Sequence, residues 1–473
     1  MHPGLHYFAE FGVDDGLLAA ALQRALSRGG DFADLYLQHS VSHSLGLEDG
    51  AVNRAFAGVD LGIGVRVVQG DQTGYAYSED LSREAVLRAA ETAAAIAAGP
   101  ARSVPTAFHA GAKIANRYPL SRQWSDVRVA EKLPLLKRLE QEAFAKDPRI
   151  AKVSLSFGDE QSAVLIADSD GRLAFDLQPM TVLGLSCVAE LDGRRESGGY
   201  NVAARDGLSF YDPDRLQRLV QRAVDRTTVL FDASMPPAGE MQVVLGAGSS
   251  GILLHEAIGH GLEADFNRKG VSIYADKLGK PIASPLVTIV DDGTQDHARG
   301  AINVDDEGNE VGCTTLVHEG VLQTYLHDRI SAKHYGVQPT GSGRRESFRS
   351  VPMPRMRSTY MLPGPHTKDE IIASVKNGIY ADHFANGQVQ IGAGDFTFYV
   401  KSGWLIEDGK LTKPVKDVNL IGNGPKVLEQ IDMVGDDLVI DEGGWTCGKD
   451  GQSVPVSQGM PTVRVASMTV GGR

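Results

Sequence analysis

Gln242-Val-Val-Leu-Gly-Ala-Gly-Ser-Ser-Gly-Ile-Leu-Leu-His-Glu-Ala-Ile-Gly-His260 supports two readings, and each leads to a different fold. In the first, Gly246-Ala-Gly-Ser-Ser-Gly251 is a G-x-G-x-x-G turn between a strand and a helix, the local setting of a dinucleotide-binding βαβ unit. Asp265 even falls near the position of the ribose-binding acid. That acid, however, belongs at the end of a second parallel strand, whereas Ala264-Asp265 continues the helical region. Phe266-Asn-Arg-Lys-Gly270 then reads as a loop, and hairpin signals follow it. A tight glycine turn that starts a helix accounts for the pattern without a nucleotide, and the parallel-sheet fold is set aside.

In the second reading the chemistry lies in His255-Glu256-Ala-Ile-Gly-His260. Neutral imidazoles hold zinc, and a neighbouring carboxylate can take a proton from water. The familiar H-E-x-x-H spacing sets two histidines at i and i+4 on one helix face. Here the second is at i+5, roughly 140° around a regular helix from the first. Both rings can address one cation only if the helix widens by a π-turn, or if it ends near Gly259 and lets His260 turn back. The plain alternative is two core or surface histidines beside a solvated glutamate. The apolar run Gly251-Ile-Leu-Leu254 just upstream weighs against it, because charged groups in such a setting are paired, liganded or functional.

A zinc site that keeps a position open takes three protein ligands. Two residues compete for the third place. Glu263 lies three residues past His260, and Cys447 lies in the glycine-flanked stretch Gly443-Gly-Trp-Thr-Cys-Gly-Lys-Asp-Gly-Gln452. Cys187 and Cys313 fall in apparent strands and read as core. Pro339-Thr-Gly-Ser-Gly-Arg-Arg-Glu-Ser347 reads as a mobile loop whose Arg344 and Arg345 could anchor a substrate carboxylate. A solvated loop is the plain alternative. His318, His327 and His334 fall near hairpin edges and read as structural or exposed.

The rest of the chain narrows the class. With 473 residues it can hold two to four domains. A net charge of −13 gives no electrostatic case for nucleic acid or an anionic membrane. Three cysteines make no disulfide framework and fit a reducing compartment. Neither a basic-then-apolar leader nor a spanning apolar run is evident, so a soluble cytoplasmic protein is expected. Fifty-four glycines point to a turn-rich β content.

Amphipathic helices are expected at 17–26, 81–98, 126–146 and 214–227, with β-meanders between them, so that a meander-then-helix order occurs twice. The Pro-Pro segment Phe231–Glu240 is the best boundary. Beyond it come many short strands, the motif helix over 250–263 and one more helix over 368–377. The predicted class is α+β: an N-terminal α/β domain of meanders and helices (1–235) and a C-terminal antiparallel β-rich domain, barrel- or sandwich-like (236–473).

Leu254-His-Glu-Ala-Ile-Gly-His-Gly-Leu-Glu-Ala-Asp-Phe-Asn-Arg268 resembles the signature of the TldD branch of the TldD/PmbA metallopeptidases. So do Val290-Asp-Asp-Gly-Thr, Asp305-Asp-Glu-Gly, Pro339-Thr-Gly-Ser-Gly-Arg-Arg-Glu-Ser, Pro352-Met-Pro-Arg-Met, Tyr360-Met-Leu-Pro-Gly and Cys447-Gly-Lys-Asp-Gly-Gln-Ser. The match is dense from about residue 240 onward. In the N-terminal half Gly62-Ile-Gly-Val-Arg66 is its clearest piece.

The resemblance implies a peptidase carrying one Zn2+ per chain and acting on unfolded or flexible peptides, such as leader peptides or antitoxins. It implies pairing with a homologous, metal-free PmbA/TldE-like subunit. His255, His260 and Cys447 fall on the family's metal positions and Glu256 on its catalytic one. The rival reading is a non-catalytic subunit that binds peptides or assembles such a complex.

Overall fold

In the computed structural model, which describes residues 2–105, 107–111 and 115–472, the alternating apolar residues of the first half build one seven-stranded sheet. From one edge its strands are Gln72–Ser78, Ala51–Gln69, Phe32–Glu48, Ile150–Asp168 and Arg172–Leu191. The last of these pairs antiparallel with Arg194–Ala204 and parallel with the short His109–Ala110.

Phe32–Glu48 is 17 residues long, and its two ends serve different cores. Ala33, Leu35 and Leu37, with Ala163, Leu165 and Ala167 beside them, pack under the helices Asp15–Ala25 and Arg83–Ala94. Leu45 and Leu47, with Val153, Leu155 and Phe157, pack under Val129–Lys146 and Pro213–Thr228. All these strand positions are odd-numbered, so period-two alternation puts them on one face. The repeated meander-then-helix order therefore makes a single continuous sheet with two helix pairs along the same side.

The even-numbered face meets the second half of the chain. Tyr36 and Val164 pack with Val304 and Phe348. Arg66, fully buried, donates to Asp34 at 2.7 Å and to Glu307 at 2.6 Å, an ion-pair bridge between the two halves. After Pro213–Thr228 the chain makes a last turn at Val229–Phe231, and the next strand starts at Gly239.

Beyond that segment Gly239–Leu245 lies between Asn377–Gln390 and Val463–Gly472. The row continues through Asp395–Glu407 to Lys410–Asn423, which pairs back onto Val463–Gly472 and closes a ring of strands. A second, six-stranded sheet includes Ile289–Asp292, Cys313–His318, Ser358–Met361 and Ser457–Met460. The half is mostly antiparallel, as its hairpin-like turns predict, but two of its strand pairings are parallel. Gly239–Leu245 runs parallel to Asn377–Gln390, and Ser358–Met361 parallel to Ser457–Met460. Parallel neighbours need a long crossover, and here the crossover from Leu245 to Asn377 carries the histidine motif.

One core joins the ring, the second sheet and the motif segment, with Ile252, Leu253, Leu254, Ala257 and Ile258 packed among Val243, Ile379, Val400 and Val465. Cys187 is buried as expected. Cys313 is not: it stands on the outward face of its strand and is exposed. The helix expected over 368–377 stops at Ala373. No helix among the described residues is long and apolar enough to cross a membrane.

Candidate metal centre

The motif segment is not one helix but a relay of four short turns. Ser249–Gly251 is 3₁₀, Ile252–Leu254 is α, His255–Gly259 is π, and His260–Leu262 is 3₁₀ again. Glu263 is then extended and ends the run. The amide of His260 donates to the carbonyl of His255, five residues back. Both solutions to the i+5 spacing are thus present, a widened turn and an early end. The two rings finish with centroids 4.9 Å apart and planes at 86°.

Irregular turns release backbone acceptors, and each must find a donor. The carbonyl of Ala257 accepts from the Tyr274 hydroxyl at 2.9 Å, and that of Gly261 from Ser272 Oγ at 2.6 Å and Asn267 Nδ2 at 2.8 Å. The glycines upstream serve close packing: a Cβ on Gly251 would come 2.6 Å from the amide nitrogen of Gly459. Gly424 supports the π-turn from outside, since its Cβ would lie 2.3 Å from the carbonyl oxygen of Ala257. Gly424→Ala must therefore push the turn away. The expected cost is about 1–3 kcal/mol of stability together with weaker metal binding. Denaturant midpoint and metal titration check this, and a variant unchanged in both would contradict the support.

Cys447 lies not in a loop but on the hairpin strand Thr446–Lys449, paired with Gln452–Pro455. Its side chain is buried and reaches the motif, with Sγ 3.7 Å from His260 Nε2. One donor atom from each of His255, His260 and Cys447 lies within 4.8 Å of the others, and all three residues are buried. Tetrahedral zinc with one sulfur and two nitrogens holds its donors about 3.4–3.6 Å apart.

The donor set fits a soft-to-borderline cation. His255 Nδ1 is buried without a hydrogen-bond partner. Burial pushes the Cys447 thiol up, but the facing imidazoles, His255 first, outweigh it and hold the thiol well below its ordinary range. Burial also works against a charged His260, yet Glu263 and then Cys447 raise its proton affinity well above the usual value. One thiol and two imidazoles are thus gathered in a buried pocket, a donor set that a bound cation would complete.

Glu263 is already engaged. Its Oε2 lies 3.0 Å from His260 Nδ1 and 3.2 Å from Lys449 Nζ. Burial pushes its carboxyl up, but Lys449 and His260 outweigh this and hold it at about 2. A carboxylate on Nδ1 fixes the ring so that Nε2 faces the thiol. This orienting role was not legible at the sequence level, although Cys447-Gly-Lys449 carried a signal, since residues i and i+2 of a strand share a face.

Glu256 belongs to the π-turn and is partly buried. Burial raises its carboxyl above the ordinary value, while the two motif histidines pull the other way. It lies against Gly387 of the strand Asn377–Gln390, where a Cβ would sit 3.4 Å from Glu256 Cγ.

Arg344 and Arg345 do not form a mobile loop. Both are buried, at 3% exposure each, and both line a cavity between the two halves. Arg344 donates to the carbonyls of Met356 at 2.6 Å and Pro455 at 2.8 Å. Arg345 donates to the carbonyl of Asp306 and reaches Asp34. The surrounding main chain supplies the acceptors that the sequence left unseen. His327 is buried, whereas His318 and His334 are exposed.

Three family models match successive parts of the chain. Residues 33–97 match domain 1 of the PmbA/TldA metallopeptidases, 122–231 the central domain, and 238–472 the C-terminal domain. A protein named metalloprotease TldD homolog from Haemophilus influenzae is 44% identical over 449 residues, covering 93% of each chain. One from Buchnera aphidicola of Acyrthosiphon pisum is 38% identical over 473 residues, covering 97% of this chain and 96% of its own. Two solved structures share the fold. A Thermotoga maritima protein described as a putative modulator of a DNA gyrase superposes with a TM-score of 0.78 at 21% identity, over 98% of this chain and all of its own. TldE from Thermococcus kodakarensis does so at 0.74 and 18%, over 99% of each.

Proposed function

Because the chain belongs to the PmbA/TldD metallopeptidase family, we propose that it is a zinc-dependent peptidase for unfolded or flexible peptides, with His255, His260 and Cys447 as metal ligands and Glu256 as general base. The observation that carries this reading is the convergence of those three donors beside a buried carboxylate on a π-turn. When bound, zinc supplies Lewis acidity toward the scissile carbonyl and the attacking water. Glu263 holds the His260 ring through Nδ1 and is itself held by Lys449. Glu256, raised by burial, takes a proton from water and passes it to the departing amine.

The substrate lies extended and is read through its backbone, which favours an unfolded chain over a packed one. Arg344 and Arg345 belong to the substrate side of this proposal only through the cavity they line. The three unpaired cysteines fit a reducing, cytoplasmic setting. The partner, a homologous subunit without the metal motif, follows from the family resemblance.

One experiment tests substrate class and partner together. The purified chain, alone and co-expressed with such a subunit, is incubated with an unstructured peptide and with the same segment inside a stable domain. Cuts are read by mass spectrometry. Cleavage of the free peptide only, and only in the complex, is the expected result. Equal cleavage of both forms would overturn the substrate class, and full activity of the lone chain the need for a partner.

A further inference from the structure

A second polar centre lies apart from the motif. Between the even-numbered face of the first-half sheet and the second half of the chain is a cavity of about 310 Å³. Tyr36, Gln38 and Ser162 wall it on the sheet side, and Arg205, Arg299, Arg344 and Arg345 converge on it.

Most buried arginines in this protein have carboxylate partners. Arg66 is paired with Asp34 and Glu307, and Arg357 with Asp291 at 2.6 Å. Three of the cavity arginines differ. Among the described residues, Arg205, Arg299 and Arg344 have no carboxylate within ion-pair distance, and neutral groups hold them instead. Arg299 donates to the carbonyl of Trp445 at 2.9 Å and contacts Met180 Sδ at 3.1 Å. Arg344 donates only to the carbonyls of Met356 and Pro455. Arg205, 3% exposed, lies over the Tyr118 ring, reaches Gln178 Oε1 at 3.4 Å, and leaves its Nε without any partner.

Buried cations of this kind are ordinarily paired, because an uncompensated charge out of water is costly. Burial draws both Arg299 and Arg344 down to about 10. Glu160, Asp306 and Glu346 also line the cavity, but burial pushes Glu160 and Asp306 up, and among the described residues none of the three lies within ion-pair distance of Arg205, Arg299 or Arg344. Planar guanidinium forks match the paired oxygens of carboxylate and phosphate.

We propose that this cavity is a binding site for a small oxyanion of phosphate or carboxylate geometry, held by Arg205, Arg299 and Arg344. The site is distinct from the metal donors, yet the hairpin of Cys447 forms part of its wall through Thr446, Ser453 and Pro455. An anion there lies between that hairpin and the first-half sheet. The proposal does not rest on the assignment of the metal ligands or of peptidase activity.

Binding is measured on the full chain at constant ionic strength. Inorganic phosphate is followed by phosphorus NMR line broadening. A short N-acetylated peptide, with a free or an amidated C-terminus, is followed by calorimetry. The expected result is saturable binding of phosphate, or of the free-acid peptide but not its amide, weakened at least tenfold in Arg299→Gln. The ligand that binds names the source of the oxyanion. Arg299 is only partly buried, so its variant is the one expected to fold, and circular dichroism checks this. Should it not fold, Arg299→Lys, which keeps the charge but loses the fork, is expected to show the weakening. Arg349→Gln, which breaks a surface pair with Asp60 away from the cavity, is expected to bind like wild type. No saturable binding of any of the three ligands, or equal binding by wild type and the folded Arg299 variant, would overturn the proposal.

Discussion

Glu256→Gln is expected to keep a full complement of metal and to lose about 10²–10⁴-fold in turnover, the usual contribution of a positioned general base. The side chains differ by one atom, so packing in the π-turn is preserved. The donors of His255, His260 and Cys447 are untouched. What disappears is the proton acceptor, because an amide cannot take a proton from water at neutral pH. Metal content by elemental analysis and peptide cleavage by single-turnover assay separate the two effects. A variant that cleaves at near wild-type rate shows that Glu256 is not the base. One that loses metal as well shows that its carboxylate belongs to the donor set.

His255→Ala and His260→Ala are expected to lose both metal and activity, down to the background of the chelator-treated protein. The two should differ in what else they disturb. His255 Nδ1 has no hydrogen-bond partner among the described residues, so its removal vacates a donor position and takes from the Cys447 thiol the imidazole that chiefly holds it down. Removing His260 also strips Glu263 of its imidazole and leaves the carboxylate to Lys449 and Arg355. Metal that binds only the folded state stabilises it by about 2.7 kcal/mol at a hundredfold excess over Kd. Wild type should therefore melt higher with metal than with chelator, and both variants should be indifferent to it. A His260 variant that still gains stability from stoichiometric zinc would mean that the remaining donors, Glu263 among them, form the site.

How much of this was legible in the sequence depends on how local each argument was. The i+5 spacing of His255 and His260 required a distorted helix, since helix geometry is a local matter, and the distortion is present at His255–Gly259. The α+β class and the strand-rich second half followed from turn chemistry and alternation, which are also local. The closure of the ring was not visible, because it depends on Lys410–Asn423 meeting Val463–Gly472. Nor was the continuity of the first sheet, where one long strand shares its face between two helix pairs. Glu263 looked like a possible ligand because its partners lie far away: Lys449 follows 186 positions later in the chain. Arg344 and Arg345 looked solvated because the carbonyls that hold them belong to Met356, Pro455 and Asp306. Cys313 looked buried because strand residues alternate, and no local signal says which face is outward.

The central claim is that Cys447, carried on a separate hairpin, completes a metal site begun by a π-turn. Cobalt substitution tests it most directly, because a thiolate ligand gives a charge-transfer band in the near ultraviolet. The wild-type cobalt protein is expected to show that band, Cys447→Ser to lack it, and Cys187→Ser and Cys313→Ser to keep it. A wild-type cobalt protein without the band, or a Cys447→Ser protein with full zinc affinity beside a Glu263→Ala protein that has lost it, would contradict the account and move the third ligand to Glu263.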